Sequence, residues 1–326
     1  MIEIKDLVKT YGTIEALKGI SFNVNEGEIL GFLGPNGAGK STTLNIMTGY
    51  LSATAGNVII NGHDILDEPT VAKKSIGFLP EIPPLYSEMT VREYLEFVHG
   101  LKGCTLPRKS HVKEVCDLVR ISDAYNRIIR NLSKGYRQRV GIAQALIGDP
   151  KVLIFDEPTI GLDPKQIIEI RNLIKMLGRD HTVILSTHVL PEVQAVCDRI
   201  VIINKGTIIA NERTEDLALS VSNTKRLEAK VSGPQDDVLR EIRAISGVKY
   251  AEISGRAGGD AFSYLIDSDP GIDIRKPLFF ALAKKGWPMI GLEGAEANLE
   301  DIFMKLVDSQ ASTKRSTKKL IGRTAE

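Results

Sequence analysis

The nonapeptide GPNGAGKST, Gly34 to Thr42, constrains the fold of this chain more than any other stretch. It fits the pattern GxxxxGK[ST], follows the apolar run EILGFLG and opens a segment with helical spacing. Glycines let a backbone curl round an anion, and the amides at a helix start aim their N–H groups at it. Strand, glycine-rich turn and helix in that order make a phosphate cradle. Gly34, Pro35, Asn36, Gly37, Ala38 and Gly39 supply the loop, and Lys40 brings a point charge to β- and γ-phosphates. Ser41 and Thr42 begin the helix, with the Ser41 hydroxyl placed to coordinate Mg²⁺.

Other strand-like runs, GNVIING, SIGFLP, KVLIFDEP, HTVILSTH and DRIVIINKG, alternate with helical spacing as far as about Asn211. This rhythm predicts an α/β domain with a mostly parallel, buried sheet, the P-loop NTPase class. Two consecutive helix-like stretches, TVREYLEFVHGLKG and RKSHVKEVCDLVRI, interrupt it and predict an inserted helical subdomain over about residues 90–145. From about residue 224 the order becomes strand, helix, strand, strand, helix, strand and a closing helix, NLEDIFMKLV. That order predicts a small α+β domain with a split-βαβ sheet over residues 224–308. The polar, basic stretch 309–326 is expected to be disordered, with a lipid-touching tail as the alternative.

A second chemical motif ends the run VLIFDEP, where four apolar residues deliver Asp156 and Glu157 to the C-terminal edge of a buried strand. Asp156 is placed to hold Mg²⁺, directly or through water, and Glu157 to accept a proton from an attacking water. LSTH, after another apolar run, sets His188 at the same edge, within reach of a γ-phosphate.

Composition narrows the partners. Lys and Arg number 42 against 41 Asp and Glu, a net charge of +1, so no global field draws the chain to nucleic acid or anionic lipid. Cys104, Cys116 and Cys197 are scattered and form no CxxC, as expected of buried thiols in a reducing compartment. The N-terminal MIEIKDLVKTYG is not expected to be a signal peptide, and no apolar run reaches membrane-spanning length. A membrane role would need a partner that spans.

Five motifs in order, GPNGAGKST, LSKGY, LIFDEP, GLD and STH, resemble the ATPase subunit of ABC transporters over about residues 1–220. The resemblance implies that LSKGY, Leu132 to Tyr136, is the signature loop, more commonly LSGGQ. Through Ser133 and Gly135 it would bind the γ-phosphate of ATP held by a second subunit, giving a dimer around two ATP. It implies also that Tyr11 stacks on adenine and that Asp163 belongs to the loop joining the subunits. An ordinary half-buried tyrosine and a turn residue before Pro164 are the plain alternatives. Two departures stand out: Lys134 and Tyr136 in the signature, and Glu81 where the family usually has glutamine. Glu81 would add a carboxylate at the catalytic metal, strengthening coordination or raising the site's proton affinity. These variants look like the branch that pairs with ABC-2 exporter-type permeases, and the whole chain resembles ATPases of gliding-motility or multidrug-export type. The resemblance thus implies ATP and Mg²⁺ as cofactors and a location on the cytoplasmic face of the membrane, held there by a separate permease. The permease would dock on the segment PEIPPLYSEMTVREYL. A soluble ABC-type ATPase acting on nucleic acid or ribosomes is the rival reading, although such proteins usually carry tandem ATPase domains or a long coiled-coil insertion.

Overall fold

Val152–Asp156 and Thr182–Thr187 are buried at every residue, as central strands of a parallel sheet covered on both faces must be. The computed structural model describes residues 1–216, 225–269 and 271–295. The expected closing helix, the basic tail and the expected boundary near residue 220 lie outside the described residues.

Met1–Thr214 forms one unit. Its strands are β1 (Ile2–Tyr11), β2 (Ile14–Val24), β3 (Ile29–Leu33), β4 (Ala55–Ile60), β5 (His63–Asp64), β6 (Ile76–Leu79), β7 (Val152–Asp156), β8 (Thr182–Thr187), β9 (Arg199–Asn204) and β10 (Thr207–Arg213). Six of them form a sheet in the order β10-β9-β3-β8-β7-β6, parallel except for the antiparallel edge strand β10. Phe32 and Phe155 are fully buried in this sheet, each contributing roughly 1.5–3 kcal/mol of burial.

The other four strands form an antiparallel sheet in the order β2-β1-β4-β5. The run GNVIING therefore does not join the parallel sheet as the alternation predicts. The reason lies in its ending: Asn61 and Gly62 take φ of 52° and 84°, the left-handed pair that closes a two-residue hairpin into β5.

The helices of this unit are α1 (Lys40–Met47), α2 (Pro69–Lys74), α3 (Val91–Leu101), α4 (Arg108–Leu118), α5 (Lys134–Leu146), α6 (Pro164–Leu177) and α7 (Leu190–Val196). Between β6 and β7 the chain leaves the sheet through α3 and α4, with no strand between these two helices. Thr90 and Glu93 form a reciprocal capping box that fixes the start of α3. The chain returns along α5, which is tied to the sheet where Gln144 Nε2 donates to the Phe78 carbonyl at 2.6 Å.

The second unit begins at Glu215. It contains β11 (Lys225–Ser232), α8 (Gln235–Arg243), β12 (Val248–Gly258), β13 (Ala261–Ser268), α9 (Arg275–Lys284) and β14 (Met289–Ala295). The sheet order is β12-β13-β11-β14 with every neighbouring pair antiparallel, a split-βαβ arrangement. Tyr264, Ile266, Val238 and Leu278 are fully buried in its core.

Candidate active site

Register assembles the site. Leu33 pairs with Thr187 and Asp156 with Ser186, so three adjacent parallel strands end at one edge of the sheet. Ligands of open parallel sheets bind at such carboxyl ends. A cleft of about 310 Å³ lies there, lined by Pro35, Asn36, Gly37, Gly39, Lys40, Ser41 and Thr42 together with Ala16, Glu81, Glu157, Ile160 and His188.

The loop needs its glycines. Gly39, the residue before α1, has φ of 114°, and a Cβ there would meet Leu17 Cδ2 at 2.8 Å and the Ala16 carbonyl at 3.1 Å. Gly34 and Ala38 form the inner side of the loop: Ala38 is buried, and its carbonyl accepts from Gly206 N at 2.9 Å. No side chain caps the first turn of α1, which leaves its amides to a ligand. Lys40 is buried, donates to the Gly34 carbonyl at 2.7 Å and lies 3.6 Å from Glu157 Oε1.

Asp156 and Glu157 differ in surroundings. Burial pushes the Asp156 carboxyl above the usual carboxylate range; the Ser186 and Ser41 hydroxyls oppose the shift, and Glu157 and Glu81 add to it. Its Oδ1 is buried without a hydrogen-bond partner, as a cation ligand would be. Glu157 sits at φ 48°, a left-handed conformation that a side-chain-bearing residue seldom adopts and that concentrates at functional sites. Its Oε1 stands 2.9 Å from His188 Nδ1 and its Oε2 3.4 Å from Thr187 Oγ1. Glu81, two residues past β6, is exposed and lines the cleft.

Seven residues singled out in the sequence do not line this cleft: Gly34, Ala38 and Asp156 are buried, each next in sequence to a lining residue, and Tyr11, Ser133, Gly135 and Asp163 belong to other elements. Tyr11 ends β1, 47% exposed, with Lys9 Nζ 5.3 Å from its ring centre. Ser133 is the N-cap of α5 and accepts from Tyr136 N at 3.4 Å. Asp163 is the N-cap of α6 and accepts from Gln166 N at 2.9 Å. Gly135 is buried, and a Cβ on it would lie 2.7 Å from the Gln166 side chain. The starts of α5 and α6 therefore pack together, and the Ser133, Gly135 and Asp163 group forms a second cluster outside the first.

The family profile described as "ABC transporter" matches residues 17–160. The ABC transporter ATP-binding protein YxlF of Bacillus subtilis is 34% identical over 308 residues, covering 94% of this chain and 99% of that one. The chain belongs to the ATP-binding subunits of ABC transporters. Among other relatives, YhcH of Bacillus subtilis is 38% identical over 78% of this ABC subunit and 83% of its own length. The Nod factor export ATP-binding protein I of Burkholderia orbicola is 32% identical over 94% and 96%. A solved ATP-binding subunit of an ABC transporter superposes with a TM-score of 0.61 at 30% identity, covering 68% of this chain and 93% of that one. A dimeric ATP-binding cassette in a post-hydrolysis state bound to ADP and Pi gives the same TM-score and identity over 66% and 99%.

Beyond the motifs, the site includes residues that sequence reasoning did not single out. Thr159 and Glu192 are buried beside it and joined at 2.6 Å. Glu192 carried a signal: Val189, Glu192, Val193 and Val196 share one helical stripe, in which a carboxylate is out of place.

Proposed function

We propose that this ABC ATP-binding subunit hydrolyses ATP at two composite sites in a head-to-tail dimer and so drives a separate membrane permease of ABC-2 exporter type. One observation carries the reading: Lys40, Glu157 and His188 line one cleft, with Asp156 buried next to Glu157, while Ser133, Gly135 and Asp163 cluster outside it. A second copy facing the cleft would bring that outer cluster onto the nucleotide.

Within one site, the loop amides of residues 37–42 and the Lys40 ammonium bind the β- and γ-phosphates, and His188 contacts the γ-phosphate. Glu157 accepts the proton of the attacking water, and the Lys40 and His188 contacts hold its carboxylate in place. Ser133, the Gly135 backbone and the α5 dipole of the partner stabilise the same γ-phosphate, with Lys134 adding positive charge. Tyr11 stacks on adenine. Ser41, Asp156 and Glu81 would hold Mg²⁺. The orphan Asp156 oxygen fits that ion, and no cluster of three or more metal-binding side chains occurs among the described residues, which suits a cation shared with phosphates. Bound there, Mg²⁺ neutralises charge developing on the phosphate oxygens.

No helix among the described residues is long and apolar enough to cross a membrane. A place on the cytoplasmic face therefore rests on the permease. Ile82, Tyr86, Phe97 and Leu101, at or beside the first inserted helix, are 83%, 53%, 41% and 74% exposed and offer apolar area to a permease helix. Export as the direction draws on relatives named for Nod factor export and linearmycin resistance. Residues 224–308 serve as an accessory domain.

Glu157→Gln tests the reading. ATP should bind with turnover reduced at least about a hundredfold, because a proton acceptor is lost while the phosphate contacts remain. With ATP and Mg²⁺ the variant should elute as a dimer on size-exclusion chromatography; persistent monomer, or retained turnover, would overturn the composite site.

A further inference from the structure

Glu192 is only 4% exposed, on the stripe of α7 that also buries Val193 and Val196. A carboxylate so placed needs specific partners. Its Oε1 accepts from Thr159 Oγ1 at 2.6 Å and its Oε2 from Thr187 Oγ1 at 3.0 Å, with the Arg171 guanidinium of α6 3.9 Å from Oε1. Thr159 lies two residues after Glu157, and Thr187 immediately precedes His188. One buried carboxylate thus fastens together the two loops that carry the proton acceptor and the γ-phosphate contact.

The Thr187 hydroxyl has a single proton and two carboxylates within reach: Glu192 Oε2 at 3.0 Å and Glu157 Oε2 at 3.4 Å. Its oxygen already accepts from Val189 N at 3.1 Å. The nearer carboxylate takes the proton.

We propose that Glu192 is a positioning residue for ATP hydrolysis. It locks the loops after β7 and β8 together, and by engaging the Thr187 proton it leaves Glu157 Oε2 free to accept a proton from water. The inference rests on the reading of Glu157 given above. The charged groups near Glu157 are Lys40 of α1, His188, Asp156 and, in the same cleft, Glu81; near Glu192 are Arg171 of α6 and the buried thiol of Cys197.

The test is Glu192→Gln in the full chain. The amide keeps the size but has one accepting oxygen, so one of the two threonine hydroxyls loses its acceptor and the clamp holds by a single arm. ATP affinity should stay within about twofold, while kcat falls about ten- to a hundredfold as the loops lose their fixed geometry. Wild-type kcat in Glu192→Gln, or a loss of ATP affinity as large as the loss in kcat, would overturn the proposal. Should Glu192→Gln fail to fold, Thr159→Val removes one arm of the clamp; it should lower kcat with ATP affinity kept, and an unchanged kcat would overturn the proposal. Glu157→Gln run in parallel separates the two readings: turnover retained there means that Glu157 is not the proton acceptor, whatever Glu192 does.

Discussion

Asp156 shows what a single side chain contributes and what it costs. Burial raises its carboxyl in the folded state, so the native protein favours the protonated form more than the unfolded chain does. The stability it lends is therefore present at acid pH and is lost as pH rises from the ordinary carboxylate range through the raised value. Asparagine is neutral throughout. Asp156→Asn should melt higher than the wild type at neutral pH without nucleotide or Mg²⁺, the gain should shrink towards acid pH, and Mg²⁺-dependent turnover should disappear. Melting curves recorded from acid to neutral pH, beside an ATPase assay, check both halves; a variant that melts lower at neutral pH would show that the buried charge is well compensated. Residues of this kind were legible in the sequence because the apolar run before Asp156 and Glu157 places them at a strand end. Glu192 showed only as a carboxylate out of place on an apolar stripe, and its role was not legible, because Thr159 lies 33 residues away and meets it only through the fold.

Among elements, the start of α5 is the most exacting. Ser133 serves as an ordinary N-cap within its own chain, and that role says nothing about a nucleotide. The two roles separate when chains are mixed. Lys40→Ala disables one chain's own cleft and Ser133→Arg blocks the other's α5 start, so a heterodimer keeps one intact composite site and should hold one ATP. Nucleotide stoichiometry on the purified mixture measures this, and a heterodimer that holds none would place the α5 start elsewhere. The elements themselves were unevenly readable. Every strand of the parallel core announced itself as an unbroken apolar run. The long strand β1 did not: Asp6 at φ 47° slips the register between Ile4 and Leu7 and breaks the alternation that reveals a half-buried strand. The strand β4 was visible, but its sheet was not, because the Asn61-Gly62 turn decides the pairing and the apolar run does not.

At the scale of the whole molecule, all the motif residues lie in the unit Met1–Thr214. A chain ending at Thr214 should bind ATP within about threefold of the full protein, since no phosphate contact is removed. Isothermal titration on the soluble fragment measures it; loss of binding by a folded fragment would give the second unit a part in the site. The two units also differ in how their sheets tolerate change. The split-βαβ sheet is antiparallel throughout, and the hairpin joining β12 to β13 can lengthen at its turn. The parallel core has no such freedom. Leu33 is level with Thr187, and Asp156 with Ser186 one step before it, on three neighbouring strands whose pairing runs residue by residue. Successive side chains on a strand face opposite ways, so removing one residue from Val152–Asp156 would turn the Asp156 carboxylate to the far face and draw Glu157 about 3.3 Å back from the cleft. The sheet acts as a ruler, which predicts that length variation in this protein will be found in the inserted helices and the hairpin turns, and not in the strands that end at the cleft.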